Sequence, residues 1–191
     1  MSDDQYFLIA LGSNVASSDR SSEDILRAAL SRLSEAGVEV EAVSRFYQTP
    51  CFPPGAGPDY VNAAARLTFD RPAEALLDLL HKVECAFGRE RRQRWGQRTL
   101  DLDLIAAGSA VLPDPQAQTE WRNLPPDRQA QVAPDELILP HPRLQDRAFV
   151  LVPLADIAPD WCHPLLNLTV IEMLDALPQS AVKEVVALPN R

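Results

Sequence analysis

The stretch RWGQRTLDLDLI, Arg94 to Ile105, decides the fold. From Thr99 to Ala106 apolar and polar residues alternate with a period of two, the pattern of a half-buried β-strand. Successive strand side chains point to opposite faces. Leu100, Leu102 and Leu104 therefore share one face and Asp101 and Asp103 the other, with the two aspartate Cα atoms roughly 7 Å apart. Upstream, Tyr6 to Leu11 is a short apolar strand that ends at Gly12. Ser21 and Asp24 form an Asp-containing capping box, opening a helix whose Ile25, Leu26, Ala29, Leu30 and Leu33 make one stripe. Val38 to Tyr47 alternates as a single strand. After a Pro/Gly-rich loop from Pro50 to Pro58, Tyr60 to Phe69 reads as the next strand, and Pro72 to Phe87 as a helix with proline near its first turn. Thr99 to Ala106 closes the series β-α-β-β-α-β. That order predicts an α+β, ferredoxin-like core, an antiparallel sheet with two helices on one face and the other face free to carry the aspartates.

Downstream of Gly108 the chain changes character. Ser109 to Glu136 holds Pro113, Pro115, Pro125, Pro126 and Pro134 among many Gln and Asp residues and shows no sustained period. It reads as a loop insertion within a single domain spanning 1–191. None of the motifs named below falls inside it, so it is expected to be dispensable for chemistry, with Trp121 either anchoring the loop or exposed. Pro153 to Trp161 and a helix near Val170 to Leu177 are expected to form an added C-terminal layer.

Immediately before the aspartates, Arg89, Arg91, Arg92, Arg94 and Arg98 place five cations within ten residues. Carboxylates suited to Mg²⁺ beside guanidiniums suited to phosphate are the chemistry of a nucleotide polyphosphate site. Taken singly, each has a plainer explanation: a Leu/Asp strand with one solvated face, and an arginine-rich surface loop. Their adjacency favours the chemical reading, because two like charges on one strand face repel unless a metal or the arginines neutralise them. The chain as a whole carries 27 acidic and 18 basic side chains, a net charge of −9. That balance speaks against nucleic-acid or acidic-membrane binding, so the local cationic cluster is expected to serve a small anion. No apolar run approaches membrane-spanning length, and no apolar signal segment follows the acidic MSDDQ. Cys51, Cys85 and Cys162 are scattered and odd in number, which suggests reduced thiols and a cytoplasmic protein rather than a disulfide framework or zinc site.

Four further stretches occur in order around RWGQRTLDLDLI: FLIALGSN (Phe7 to Asn14), SRFYQTP (Ser44 to Pro50), PDYVNAA (Pro58 to Ala64) and LPHPRLQDRAFVLVPLADIAPDW (Leu139 to Trp161). Together they resemble the motifs of the 6-hydroxymethyl-7,8-dihydropterin pyrophosphokinase family of folate biosynthesis, over about Phe7 to Trp161. The resemblance implies transfer of the β,γ-diphosphate of ATP to the pterin's hydroxymethyl oxygen, with AMP leaving. It implies that Asp101 and Asp103 hold two Mg²⁺ ions bridging the ATP phosphates. Arg89, Arg91, Arg98 and Arg147 match family positions that contact phosphates or close over them, His141 a nucleotide-phosphate contact, and Glu84 the nucleotide side. Asn62 resembles the pterin-reading amide and Tyr60 and Phe149 the stacking pair, with Thr49, Pro50 and Phe52 lending backbone groups. A flat heteroaromatic with a polar edge needs such rings and amides. Arg91 and Trp95 lie in a polar loop ending at Gly96 that can act as a lid. The chain departs from the family pattern at His81 and Pro142, and in the length of the 109–136 connection.

Lys82 and Lys183 are the only lysines and neither follows a glycine-rich loop. With no P-loop, phosphate must be held by arginines and metal. No side chain stands out as a general base, which suits phosphoryl chemistry driven by positioning and charge neutralisation. Two other classes remain open at this point: a different Mg²⁺-dependent nucleotidyl or phosphoryl transferase on the same scaffold, and a non-catalytic ferredoxin-like ligand-binding module. A monomer is expected.

Overall fold

Strand β1 (Tyr6–Ser13) lies inside the sheet, flanked by β4 (Tyr60–Thr68) and β5 (Asp101–Ala107), both antiparallel to it. The computed structural model describes residues 6–14, 20–51, 57–88, 99–125, 128 and 131–189. On the far side β4 pairs with β2 (Glu39–Val43) along one half and with β3 (Tyr47–Thr49) along the other, and β6 (Val186–Ala187) adds to β3. The resulting order, β5-β1-β4-β3-β6 with β2 also on β4, leaves β5 at an edge.

The single strand expected over Val38 to Tyr47 is two strands. Ser44 is the physical reason: its backbone N–H donates to Ala64 O at 2.9 Å while its Oγ accepts from Ala64 N at 2.9 Å and donates to Arg45 O at 2.7 Å. A buried hydroxyl that bonds locally to the backbone breaks the ladder.

Helices α1 (Ser22–Glu35) and α2 (Ala73–Ala86) cover one face of the sheet. The expected capping box is present: the Ser21 hydroxyl accepts from Asp24 N while the Asp24 carboxylate accepts from Ser21 N. The expected stripe on α1 is buried with Leu76, Leu80 and Val83 of α2 against Phe7, Ile9 and Leu11 of β1 and Leu102 and Leu104 of β5. The opposite face is not free along its whole length. Helix α4 (Ala148–Ile157) and α5 (Val170–Asp175) bury Val150, Leu151, Leu154, Val170 and Met173 with Trp161 against Leu8, Ala64, Ile105 and Ala106. This is the added C-terminal layer. It stops short of the Asp101 end of β5, where the sheet face remains half-open. Two polar anchors fasten it: Trp161 Nε1 donates to Gly108 O at 2.8 Å, and the Asp156 carboxylate receives Tyr47 Oη at 2.8 Å and Arg45 Nη2 at 2.7 Å. Burial alone would push the Asp156 carboxyl up, but the hydrogen bonds from Arg45 and Tyr47 outweigh it and hold it below the usual carboxylate range. Burial, then the bond to Asp156, pushes the Tyr47 phenol up to about 12.

The 109–136 segment corrects its sequence reading. Helix α3 (Pro115–Asn123) forms within it, with Asp114 as N-cap accepting from Gln116 N and Ala117 N at 2.8 and 2.9 Å and Pro115 in the first turn. Gln118, fully buried, donates from Nε2 to Pro140 O at 3.0 Å. A further short helix, α6 (Gln179–Lys183), precedes β6.

Candidate active site

Asp101 and Asp103 stand on one face of β5, half-exposed, while Leu102 and Leu104 between and beyond them are buried on the helix side. Their cross-strand neighbours are Gly12 and Ala10 of β1, which present almost no side chain beside the carboxylates. Gly12 also pairs with Asn62 of β4, and Ala10 with Ala64. Directly opposed residues share a face, so Asp101, Gly12 and Asn62 form one row, and the two polar residues lie about 10 Å apart across two strand spacings. Asn62 is buried and donates from Nδ2 to Thr49 Oγ1 at 2.7 Å, which fixes the orientation of its amide. Gly12 leaves room for this arrangement: a Cβ there would sit 3.2 Å from Asn62 Oδ1, so the amide would have to give by a few tenths of an ångström. The Ser13 hydroxyl donates to Thr99 O at 2.7 Å and ties the entry of β5 to β1.

Glu84 sits beneath the strand rather than beside the open face. It is 1% exposed on the buried stripe of α2, and its Oε1 accepts from Leu102 N at 2.8 Å. Leu102 lies between the two aspartates on the edge strand, so Glu84 satisfies an edge donor that the sheet leaves unpaired.

A cavity of about 470 Å³ wraps the outer edge of β5. From the side of α2 it is lined by Leu77, His81 and Leu104; Asp103, His141, Arg143 and Arg147 contribute charged and polar lining, as do Asp135 and Glu136; Trp121 and Ile138 belong, with those two carboxylates, to the segment between β5 and His141. A β-bulge explains how His141 arrives. The β1–β5 register slips so that Leu8 faces Ala106 and Ile9 faces Leu104, leaving Ile105 unpaired, and the Ile105 carbonyl accepts from His141 N at 2.8 Å. Bulges commonly re-aim groups next to active sites. His141 Nδ1 accepts from Arg143 N at 3.1 Å, so the neutral ring carries its proton on Nε2. Burial and the nearby charges of Arg147 and Arg143, partly offset by Asp101, hold its pKa down at about 3. His141 is therefore a neutral N–H donor at physiological pH.

The structure thus brings Asp103, His141 and Arg147 to one cavity, with Asp101 on the same strand face, and joins Asn62 to Thr49. Tyr60 precedes Asn62 by two on the same strand and shares its face. The Arg147 guanidinium lies 5.6 Å from the centroid of the Phe149 ring, which is 41% exposed in the first turn of α4. Pro50 is exposed at the end of β3. Phe52, Arg89, Arg91, Trp95 and Arg98 lie outside the described residues, as do Arg92 and Arg94. Sequence reasoning missed three residues that the structure sets beside these groups. Gly12 stood inside the quoted FLIALGSN motif but was assigned no role, since its need is set by a neighbour fifty positions away. Arg143 stood inside a quoted motif but was passed over; its Nε is buried with no hydrogen-bond partner among the described residues. Trp121 was left unassigned, although the Asp114-Pro115 pair is an N-cap followed by proline, a helix-start signature.

Among the described residues no group of three or more His, Cys, Asp or Glu side chains converges on a metal position. Two carboxylates with small neighbours suit a hard cation that completes its shell with phosphate oxygens and water, so the donor set fits Mg²⁺ held jointly with a substrate.

An antiparallel α+β sheet of the ferredoxin-like class thus carries, at one edge, a cavity lined by Asp103, His141, Arg143 and Arg147, with Asp101 on the same strand face. Residues 8–159 match the family described as 7,8-dihydro-6-hydroxymethylpterin-pyrophosphokinase, and the chain belongs to that family. It is 40% identical over 160 residues to the 2-amino-4-hydroxy-6-hydroxymethyldihydropteridine pyrophosphokinase of Synechocystis, covering 83% of this chain and 71% of that one. The Pseudomonas aeruginosa enzyme of the same name is 37% identical over 160 residues, covering 84% of this chain and 85% of that one. The crystal structure of wild-type Plasmodium falciparum HPPK-DHPS superposes with a TM-score of 0.60 at 15% identity, over 90% of this chain and 40% of that one. This chain thus spans less than half of that longer protein, and the likeness establishes the shared fold.

Proposed function

We propose that this pyrophosphokinase uses ATP as the diphosphate donor with Mg²⁺ held by Asp101 and Asp103, and that Asn62 reads the edge of 6-hydroxymethyl-7,8-dihydropterin. The observation that carries the reading is the joining of Asp103, His141, Arg143 and Arg147 in one cavity at the edge of the strand whose face also bears Asp101. The Thr49-oriented amide of Asn62 stands two strands along the same row. In the reaction the hydroxymethyl oxygen attacks the β-phosphorus, the bond from that phosphorus to the α,β-bridging oxygen breaks, and AMP leaves with the bonding electrons while the alcohol proton is released. Asp101 and Asp103 would hold two Mg²⁺ ions, which when bound would supply charge neutralisation to the phosphates. Arg143 and Arg147 add fixed positive charge, and His141 donates Nε2–H without itself titrating. Such preorganised donors act most strongly where charge develops in the transition state. Arg89, Arg91 and Arg98, outside the described residues, are assigned by the family resemblance to the same phosphates, and Trp95 is assigned to substrate binding in the polar loop that can act as a lid.

Incubation with ATP, Mg²⁺ and the pterin alcohol, followed by phosphorus NMR or chromatography, is expected to yield AMP and the pterin diphosphate. ADP as the stoichiometric product would overturn the proposal. Asp103→Asn is expected to abolish turnover while leaving the thermal melt within a few degrees of wild type, and near-normal activity in that folded variant would remove the metal assignment.

A further inference from the structure

Building on that reading, we infer that Trp121 forms the nucleobase wall of the cavity, where its indole stacks on the adenine of ATP. The cavity is chemically divided. On the α2 side of β5 Leu77 and Leu104 give an apolar wall beside His81; Asp103, His141 and Arg147 bring charge and hydrogen-bond donors from the strand face that α4 packs against, and Asp135 and Glu136 line the cavity from the segment that carries Trp121. A nucleoside triphosphate has the same division, a flat apolar base and a charged tail. Trp121 is the one indole, phenol or phenyl side chain lining the cavity among the described residues.

Its position is fixed by independent anchors. Asp114 caps α3, Gln118 one turn before Trp121 is clamped to Pro140 O, and Leu112 bridges Leu139 through two backbone hydrogen bonds of 2.9 and 3.1 Å. The residue after the Gln118 anchor point is His141, so the helix carrying the indole and the imidazole assigned to phosphate are tied together through Pro140. A rigid aromatic held beside a charged subsite is the arrangement that stacks a base with little ordering cost. The segment from Ser109 to Glu136, expected from sequence to be dispensable, is on this view part of the nucleotide site.

The test is calorimetric binding of α,β-methylene-ATP, inorganic tripolyphosphate and the pterin alcohol to wild type, Trp121→Ala and Trp121→Phe, with thermal melts as the folding control. Trp121→Ala is expected to weaken the ATP analogue about tenfold, in line with the loss of one base–aromatic stack, and Trp121→Phe less than threefold. Tripolyphosphate, which has no base, and the pterin are expected to bind every variant as they bind wild type. Equal losses for the analogue and tripolyphosphate would overturn the inference by making Trp121 a structural support of the phosphate end. No loss for the analogue would overturn it outright, and a loss confined to the pterin would assign the indole to the other substrate. Release of ADP or no turnover by wild type would count against the proposed reaction, whereas these binding comparisons judge the indole alone.

Discussion

Replacing Gly12 by alanine tests the row that links the two halves of the site. The new Cβ would lie 3.2 Å from Asn62 Oδ1, against about 3.5–4.0 Å for an unstrained heavy-atom contact. Asn62 must therefore retreat by a few tenths of an ångström. It has little room to do so, because it is only 6% exposed and its Nδ2 is held 2.7 Å from Thr49 Oγ1. Stretching that hydrogen bond and turning the amide away from a ligand each forfeits about 0.5–1.5 kcal/mol. The combined effect on pterin binding is about 1–3 kcal/mol, a factor of roughly 5–150. Folding should not suffer, since alanine in a strand interior is favoured over glycine by roughly 0.5–1 kcal/mol, enough to offset a small local displacement. The expected result is a KM for the pterin raised by that factor, an unchanged KM for ATP, and a urea midpoint at or slightly above wild type. Wild-type pterin kinetics in Gly12→Ala would refute the placement of Asn62 at the pterin edge, and a fall in both substrates' affinities would show that the strand as a whole had shifted.

Glu84→Leu leaves the Leu102 N–H without its buried acceptor, which should lower stability by about 1–3 kcal/mol and depress kcat by displacing Asp101 and Asp103. Glu84→Gln keeps an acceptor and should restore most of both, so a glutamine variant as damaged as the leucine one would indicate that the carboxylate's charge is what matters. His163 is buried and accepts from Leu165 N and Leu166 N through Nδ1, and burial, then the charge of Arg122, lowers its pKa to about 4. The unfolded chain, with an ordinary histidine near 6.5, binds the extra proton first. Stability is therefore full above about pH 6.5 and lost progressively down to about pH 4, by at most about 3 kcal/mol. His163→Asn keeps a local acceptor without titrating, so the difference between wild-type and variant unfolding free energies should change across that window; a constant difference would show that His163 does not carry it. Arg143→Ala should weaken ATP binding without altering pterin binding, measured by calorimetry, and equal ATP affinities would place its guanidinium away from the phosphates.

The sequence by itself determined the alternation of strands and helices through β5 apart from the break at Ser44, the capped and striped helix after β1, and the common face of Asp101 and Asp103, because each follows from local periodicity and capping chemistry. The family motifs likewise pointed to His141, Arg147 and Asn62 as site residues, and the structure sets His141 and Arg147 in the cavity at β5 and Asn62 two strands away on the row of Asp101. Only the tertiary structure decided the rest. Ser44 divides a strand that alternates continuously in sequence, because its hydroxyl meets the backbone of Ala64 across the sheet. Glu84 reads as a buried carboxylate in need of a partner, but its acceptor role at Leu102 depends on helix α2 lying under an edge strand. Helix α3 escaped a periodicity reading because it is short and polar; it is held by its cap and by one buried amide reaching Pro140, not by an apolar stripe. Gly12 matters only because the β1–β4 and β1–β5 registers set Asn62 and Asp101 on either side of it. Residue types and local spacing disclose chemistry and period, whereas cross-strand register and the packing of one element on another exist only once the chain has closed on itself.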